Sequence, residues 1–330
     1  AYEDRSIDLA FYLERFQQAL AKRRLLGLLD NPQTNCFRWV HGEGDQLPGL
    51  IVDVYDELAV VQCHSIGMYR QRELLVEALE NALPGRLRGI YSKSAASLPS
   101  NFAKGVEDGF VRGKGPDSPL TVLENGHRFV VDWEEGQKTG FFLDQRENRA
   151  LLARYAAGKR ILNLFSYSGG FSIYALKAGA REVTSVDASQ KALEWLAASL
   201  EANHLTPERH HSHCTDALKF LRKVSEPYDI VVVDPPAFSK SLKKQHNAVQ
   251  GYKRLNAAAL QKVAPGGLLF TFSCSQVVDK VLFDNTIRAA ALEAGRRAVI
   301  LHHLAQAPDH PVSLFHPESG YLKGLVLLVE

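Results

Sequence analysis

The sequence lacks the long apolar runs and processing signals that mark membrane and secreted proteins. No stretch approaches the roughly 18 consecutive apolar residues that a membrane-spanning helix needs. The N-terminal segment, AYEDRSIDLAFYLERF, is charged and unlike a signal peptide. These absences predict a soluble, cytoplasmic protein.

Metal ligands in a usable pattern are missing as well. The four cysteines are scattered without CxxC or CxxH spacing, which indicates neither a zinc site nor a disulfide framework. A histidine cluster occurs at 210–213, but alternate residues of a strand point to opposite faces, so the cluster is not expected to bind a metal. We therefore expect no metal site.

The sequence has the composition of an ordinary globular protein, and its charged residues are unevenly distributed along the chain. The 330 residues are 45% hydrophobic and 23% charged, enough for a buried core and about two domains. Residues 1–150 hold 18 Lys and Arg against 22 Asp and Glu, whereas residues 151–330 hold 21 against 15. The stretch 235–278 has six basic residues and no acidic one. It is either a solvated helix face or a track for a phosphate backbone.

The first third of the chain predicts a helix followed by a small α+β domain. Apolar residues spaced along 7–28 predict an amphipathic helix that ends near Gly27. Short alternating runs over 36–65 predict antiparallel strands, 69–83 a helix, and GIYSKS a further strand. The Gly/Pro-rich stretch 111–119 is the best linker candidate. The predicted divisions are a linker helix over 1–30 and a β-rich α+β domain over 31–118.

The remainder, 119–330, predicts a hairpin followed by a catalytic α/β domain. TVLENGHRFVVDW contains an Asn125-Gly126 pair that suits a two-residue hairpin turn. After residue 160, the runs RILNLF, EVTSVD, YDIVVVD, GGLLFTFS and RAVILHHL alternate with helical stretches. This alternation is typical of a parallel sheet covered by helices, a Rossmann-like α/β fold.

The turn that follows the first of these strands predicts a nucleoside site without a phosphate cradle. The segment NLFSYSGGFS has small residues where backbone can approach a nucleotide, but it lacks the GxGxxG spacing of a dinucleotide site. Asp187 ends the next strand and can accept hydrogen bonds from ribose hydroxyls, and Asp216 follows the third strand. S-adenosylmethionine fits this pattern better than NAD, although either aspartate could instead cap a helix.

Two later strand ends predict the chemistry. Asp234-Pro235-Pro236 directs a carboxylate into the predicted cleft, and Phe238 follows one residue later than in the related motif of amine methyltransferases. Cys274 ends the next strand. A thiolate that adds to C6 of cytosine makes C5 nucleophilic, so Cys274 predicts covalent catalysis, with Asp234 bonding N3 or N4 and sharing the proton transfers. The basic stretch is the expected source of charge that lowers the pKa of the thiol.

Seven motifs together resemble the bacterial ribosomal RNA large subunit methyltransferase I family, which makes 5-methylcytosine in large-subunit (23S) rRNA. The resemblance spans nearly the whole chain and rests on QKTGFFLDQRENR (137–149), NLFSYSGGFS (163–172), SVDASQKAL (185–193), DPPAF (234–238), GYKRLN (251–256), TFSCS (271–275) and DHPV…YLKGL (309–325). It implies a class I methyltransferase domain behind a small β-rich domain, S-adenosylmethionine as cofactor and rRNA as partner.

The resemblance also implies residue roles. Cys274 and Asp234 are the predicted catalytic residues. The predicted cofactor contacts are Asn163, Phe165, Ser166, Tyr167, Ser168, Gly169, Asp187, Ala188, Asp216, Ala217, Asp144, Gln145 and Arg149. The predicted RNA contacts are Pro235, Pro236, Phe238, Lys240, Tyr252 and Lys253, with Phe238 and Tyr252 as stacking platforms for a base that has left its stack.

Two alternatives remain open on the sequence. A related branch methylates guanine N7 and lacks the cysteine of TFSCS, so the chain could act on guanine N7 or an exocyclic amine with Cys274 merely structural. It could also be a non-catalytic RNA-binding protein. Family members usually carry an N-terminal PUA module, and this chain starts at the helix that follows that module, so the module is expected to be lost or removed.

Overall fold

The computed structural model describes residues 4–239 and 241–330, which form two compact units. The first unit comprises Ala1–Asp144 and Ala307–Ser319, and the second comprises Gln145–Gln306 and Gly320–Glu330. The predicted domain boundaries at 30 and 118 stay predictions. Within the described ranges, no helix is long and apolar enough to cross a bilayer.

The first unit begins with the predicted amphipathic helix, α1 (Leu9–Leu25). Asp8 caps its N-terminus by accepting a hydrogen bond from the backbone of Phe11, and three basic residues in the last turn complement the helix dipole. Phe16 is fully buried on the inner face, where its ring lies 5.7 Å from that of Trp39. The helix prediction is therefore confirmed.

A five-stranded sheet follows α1. Its strands, in spatial order, are β1 (Cys36–His41), β2 (Leu50–Tyr55), β3 (Leu58–Cys63), β4 (Gly89–Ser92) and β5 (Gly109–Gly113). Helices α2 (Ile66–Arg70) and α3 (Arg72–Ala82) connect β3 to β4 and make that pair parallel. The strands predicted over 36–65 are antiparallel to one another, as expected, and the further strand predicted at GIYSKS is β4. The linker prediction was wrong at its start, because β5 includes residues 111–113.

A separate hairpin consists of β6 (Leu120–Glu124) and β7 (His127–Val131). Its turn residues Asn125 and Gly126 have φ values of 49° and 76°. Positive φ at both positions is the two-residue turn that matches strand twist, and this confirms the hairpin prediction.

Buried ion pairs bind the parts of the first unit together. The Arg23 guanidinium donates to both carboxylate oxygens of Asp45, at 2.6 and 2.7 Å, and also to the carbonyl of Asp309. Arg38 pairs likewise with Asp53, at 2.7 and 2.8 Å, and its backbone N–H donates to Asp309. These contacts hold the segment 307–319 in the first unit.

The second unit is built on a seven-stranded sheet. Its strands are β8 (Arg160–Leu164), β9 (Glu182–Asp187), β10 (His210–Cys214), β11 (Tyr228–Val233), β12 (Val263–Ser273), β13 (Ala298–Ala305) and β14 (Lys323–Val329). They lie in the order β10-β9-β8-β11-β12-β14-β13. All run parallel except β14, which is antiparallel to both of its neighbours.

Helices cover this sheet on two faces. They are α4 (Arg146–Ala153), α5 (Gly170–Lys177), α6 (Gln190–Ala202), α7 (Ala217–Lys223), α8 (Gln245–Leu260) and α9 (Lys280–Glu293). Alternate residues of β11 enter different apolar clusters: Val231 packs with residues of α7, α8 and α9, whereas Val232 packs with residues of α4 and α5. The Rossmann-like prediction is confirmed, although α4, α9 and β14 were not anticipated.

Candidate active site

The predicted site residues meet at one edge of the seven-stranded sheet. The chain runs outward from β8 through β9 to β10 on one side, and continues through β11 to β12 on the other. The reversal next to β8 is the switch point at which open α/β sheets bind ligands beyond the carboxyl ends of their strands. Phe165, Asp187, Asp216, Asp234 and Cys274 each lie at or just after such an end.

Backbone of unusual conformation forms the turn after β8. Phe165, Tyr167 and Gly169 have φ values of 58°, 46° and 82°. The Asp187 carboxylate accepts from the Tyr167 N–H at 2.8 Å with one oxygen and from the Ser189 N–H at 2.9 Å with the other. Asp187 thus fixes the turn and the start of α6, while its remaining lone pairs can accept hydroxyl donors.

Close packing explains both glycines of this turn. A Cβ at Gly169 would lie 2.0 Å from Cδ1 of Leu196 on α6, and one at Gly170 would lie 2.9 Å from Cδ of Arg149 on α4. The turn lacks side-chain bulk because two helices press against it. Arg149 is buried, with its guanidinium 6.0 Å from the centre of the Tyr174 ring, and its cofactor role stays a prediction.

Polar atoms without partners point to a ligand at the turn. Ser166 Oγ and Ser168 Oγ are buried and have no hydrogen-bond partner in the described part of the chain, and neither has Asn163 Oδ1 beneath them. Asn163 Nδ2 donates to Ser172 Oγ at 2.8 Å. Buried hydroxyls are normally satisfied, so this group is suited to the polar amino-acid end of a bound cofactor. Together with the Asp187 carboxylate, it fits S-adenosylmethionine.

Asp216, a predicted cofactor contact, also caps a helix. It accepts from the Lys219 N–H at 2.9 Å and so begins α7, with buried Ala217 as its first residue. Ala188 lies in the exposed loop after β9, where its carbonyl accepts from the Cys214 thiol. The cofactor roles of these residues stay predictions.

The segment before β8 divides between the two units. Asp144 is the last residue of the first unit, so its cofactor role stays a prediction. Gln145 Nε2 donates to Asp234 Oδ2 at 2.9 Å. Asn148 Nδ2 donates to Gln145 Oε1 at 2.6 Å and to the Ala305 carbonyl at 3.1 Å. These successive hydrogen bonds orient the Asp234 carboxylate. This orienting role of Gln145 was not predicted from the sequence.

Asp234 and Cys274 follow adjacent strands. Val233 pairs with Thr271, so Asp234 lies level with Phe272 and Cys274 comes two residues further along. The Cys274 side chain is partly exposed. Between the two strand ends, Ser275 Oγ donates to the Ser239 carbonyl at 2.9 Å and ties the loop after DPPAF to the loop after Cys274.

The predicted RNA contacts differ in how exposed their side chains are. Pro235 is buried, Pro236 is exposed and Phe238 is 42% exposed, which leaves that ring accessible. The Tyr252 ring is fully buried, in edge contact with Phe238 and Phe283, so its predicted stacking role is wrong.

Of the two predicted RNA-contacting lysines, one is engaged and one is not described. Lys253 forms an ion pair with Glu293 at 2.8 Å, which partly neutralises its charge. Lys240 lies outside the described residues. Phe238 is therefore the best supported of the predicted base contacts.

Lys323, which begins β14, was not predicted as a site residue from the sequence. Its ammonium donates to the carbonyls of Ser275 at 2.6 Å and Tyr321 at 2.9 Å. Burial lowers the pKa of Lys323, whereas the nearby charges of Cys274 and Asp279 raise it. The only sequence signal was its place in the YLKGL motif.

Comparison with known proteins defines the class first. Residues 110–321 match the family model of S-adenosylmethionine-dependent methyltransferases, and the chain belongs to that family. A methyltransferase solved in complex with SAH superposes with a TM-score of 0.87 at 26% identity, covering 98% of this chain and 83% of that one. The cofactor is S-adenosylmethionine, as predicted.

Curated relatives define the family more narrowly. The chain is 40% identical to the ribosomal RNA large subunit methyltransferase I of Aeromonas salmonicida (strain A449), over 98% of this chain and 82% of that protein. It is 42% identical to the protein of that name from Alteromonas mediterranea, over 98% and 81%. The chain belongs to the ribosomal RNA large subunit methyltransferase I family, which confirms the resemblance stated from its motifs.

Proposed function

We propose that this enzyme methylates C5 of a cytosine in large-subunit (23S) ribosomal RNA through a transient bond between Cys274 Sγ and C6. The observation that carries the proposal is the placement of a partly exposed cysteine beside Asp234 at the cofactor edge of the sheet. The names of the relatives support large-subunit rRNA as the substrate, and we place the enzyme in the cytoplasm because bacterial rRNA lies there.

The turn after β8 and the end of β9 would hold the cofactor. The Asp187 carboxylate would accept hydrogen bonds from the ribose hydroxyls, and the hydroxyls of Ser166 and Ser168 would bond the amino-acid end. When bound, S-adenosylmethionine supplies an electrophilic sulfonium methyl group for carbon C5. No group of metal-binding side chains occurs within the described ranges, and the proposal needs none.

Cys274 provides the nucleophile. Its thiolate adds to C6 of the cytosine, and the electron pair of the C5–C6 double bond moves to make C5 nucleophilic. After C5 has gained the methyl group, a base removes the C5 proton, the double bond re-forms and the C6–Sγ bond breaks. Asp234, oriented by Gln145, bonds N3 or N4 and shares in the proton transfers.

The substrate approaches over the loop after β11. Phe238 offers an exposed aromatic face to a base that has left its stack, and Lys243 and Lys244 are exposed in the same loop. Ser275 ties this loop to the strand end that carries Cys274. A single-stranded or looped segment of rRNA suits this arrangement, because the nucleophile must reach C6 from the face of the ring.

Methyl transfer to rRNA, measured with labelled S-adenosylmethionine, tests the proposal. We expect 5-methylcytosine on nucleoside analysis and a trapped adduct with RNA containing 5-fluorocytosine, which has no C5 proton to lose. Cys274→Ala should abolish both, while the matched variant Cys214→Ala, at the exposed end of β10, should retain both.

Three outcomes contradict the proposal. Equal activity of Cys274→Ala removes the nucleophile role. A product of 7-methylguanine or an N-methyl base makes Cys274 structural and favours the guanine or amine alternative. Cofactor binding without transfer to any rRNA makes the protein a non-catalytic RNA binder.

A further inference from the structure

Lys323 reaches the active-site edge because β14 runs against the rest of its sheet. Lys323 is the first residue of β14 and pairs with Ser273 at the end of β12. An antiparallel strand brings its amino end to the edge where parallel strands have their carboxyl ends. The lysine is therefore aligned with the residue immediately before Cys274.

Neutral oxygens hold the Lys323 ammonium in place. The residue is 9% exposed, and two of its three ammonium hydrogens bond the carbonyls of Ser275 and Tyr321. Ser275 directly follows Cys274, so the cation is bonded to the carbonyl of the residue next to the thiol, just after the end of β12. A buried cation bonded to carbonyls alone lacks a counter-charge, which is costly unless an anion lies nearby.

Three other titratable groups near the thiol are Tyr252, Asp234 and Asp279. Burial, with the negative charges of Cys274 and Asp234, raises the pKa of Tyr252, so this phenol stays neutral at ordinary pH. Asp234 is bonded to Gln145, and Asp279 caps α9 by accepting from the Leu282 N–H. The negative charge of Asp234 disfavours a thiolate at Cys274, whereas the positive charge of Lys323 favours it.

We propose that the Lys323 ammonium is the counter-charge that keeps Cys274 as a thiolate before RNA binds. The thiol loses its proton to solvent, the electron pair stays on Sγ, and Lys323 keeps all three of its hydrogens. When the C6–Sγ bond breaks at the end of the cycle, the same cation stabilises the leaving thiolate. Lys323 is thus a positioning residue for Cys274, and the inference deepens the proposed function, on which its catalytic meaning rests.

The basic stretch 235–278 does not need to supply this charge. Lys253 within it is engaged with Glu293, and Lys262 donates to the Val224 carbonyl at 2.8 Å. Lys323 lies outside the stretch, and a hydrogen bond holds its ammonium at the carbonyl of Ser275, the residue after Cys274.

Alkylation of Cys274 by iodoacetamide, followed against pH by peptide mass spectrometry, tests the inference without cofactor or RNA. Cys214 in the same molecule is the exposed reference thiol. In the wild type, the midpoint for Cys274 should lie below that for Cys214. Lys323→Gln should slow Cys274 alkylation about tenfold at pH 7, the change in thiolate fraction that follows from about one pKa unit.

Two matched variants distinguish charge from structure. Lys323→Arg keeps the charge and should restore most of the alkylation rate, whereas Lys262→Gln removes another carbonyl-bonded lysine and should leave the rate unchanged. Thermal unfolding checks that each variant folds. If Lys323→Gln does not fold, the comparison of the Cys274 and Cys214 alkylation midpoints in the wild type still tests the inference.

Either of two results overturns the inference: a wild-type midpoint for Cys274 at or above that of Cys214, or an unchanged alkylation rate in folded Lys323→Gln. Failure of the proposed function is distinguishable from both. In that case, Cys274→Ala still methylates rRNA while the Cys274 alkylation profile of the parent enzyme retains its low midpoint.

Discussion

Some charged side chains of the two units are held in different ways. In the first, the guanidiniums of Arg23 and Arg38 are each matched by a carboxylate through two short hydrogen bonds. In the second, the Asp187 carboxylate and the Lys323 ammonium are held by uncharged backbone groups. Charge paired with charge stabilises a fold, whereas charge held by backbone dipoles stays available to a ligand or a reacting atom.

Removal of one paired carboxylate should give the largest loss of stability. Asp45→Ala leaves the fully buried Arg23 without its counter-charge, and we expect a loss of about 3–5 kcal/mol in the free energy of unfolding. Urea denaturation measures this loss. The control Glu80→Ala breaks an exposed pair with Arg112 and should cost less than about 1 kcal/mol. Equal losses in the free energy of unfolding for Asp45→Ala and Glu80→Ala would contradict the expected difference between buried and exposed ion pairs of the first unit.

Substitution at the cofactor turn should give a smaller loss of stability together with a binding defect. Gly169→Ala combines a positive φ with a Cβ 2.0 Å from Leu196, and we expect a loss of about 2–3 kcal/mol. Calorimetry should also show weaker binding of S-adenosylmethionine. Gly179→Ala, with a positive φ but open space around it, should cost about 1 kcal/mol and leave binding unchanged. Intact binding by Gly169→Ala would contradict the role of the turn.

Gln145→Ala separates a positioning role from cofactor contact. The substitution removes the donor to Asp234 Oδ2, so we expect kcat to fall about tenfold while the Kd for S-adenosylmethionine changes little. Asn148→Ala should have a milder effect of the same kind, since Asn148 acts on Asp234 only through Gln145. A raised Kd with unchanged kcat would instead support the cofactor contact predicted from the sequence.

Acid should destabilise both units, because burial lowers the pKa of His41 and His310 in the first unit and that of His210 in the second. Burial lowers the pKa of His41 to about 2 and that of His210 to about 4. Because an unfolded histidine binds a proton below about pH 6.5 and these do not, stability is fully present above that pH and falls as pH drops toward 4.

Single variants assign this pH dependence to one unit or the other. Between pH 6 and 4.5, the protein takes up protons when it unfolds. His41→Gln and His210→Gln should each lower the number of protons taken up by about one. Urea unfolding as a function of pH gives this number. Unchanged uptake in a variant would mean that the histidine concerned is not the group that titrates on unfolding.

Local patterns predicted much of the fold because they report local forces. The spacing of apolar residues identified α1, the Asn125-Gly126 pair identified the hairpin, and the alternation after residue 160 identified the parallel sheet. The alternation also implied that Asp187, Asp234 and Cys274 share an edge, since parallel strands end on the same side. The catalytic roles of these residues stay proposals.

Other features depend on partners distant in sequence. Tyr252 is an aromatic residue of the kind that stacks on bases, but Phe238 and Phe283 pack against its ring and cover it. Asp309 is more than 250 residues from Arg38, yet its carboxylate accepts from the Arg38 backbone. No window of sequence contains both members of such a pair.

The sequence by itself determined the α/β class, the cofactor and the family, because strand ends, a glycine turn and a set of motifs are properties of short segments. Only the tertiary structure decided which charged side chain lies at the strand end that carries Cys274. That depended on β14 inserting antiparallel between β12 and β13 and so bringing its first residue, Lys323, to the edge where its neighbours end. Strand order and direction are set by packing across the whole sheet, and no local pattern records them.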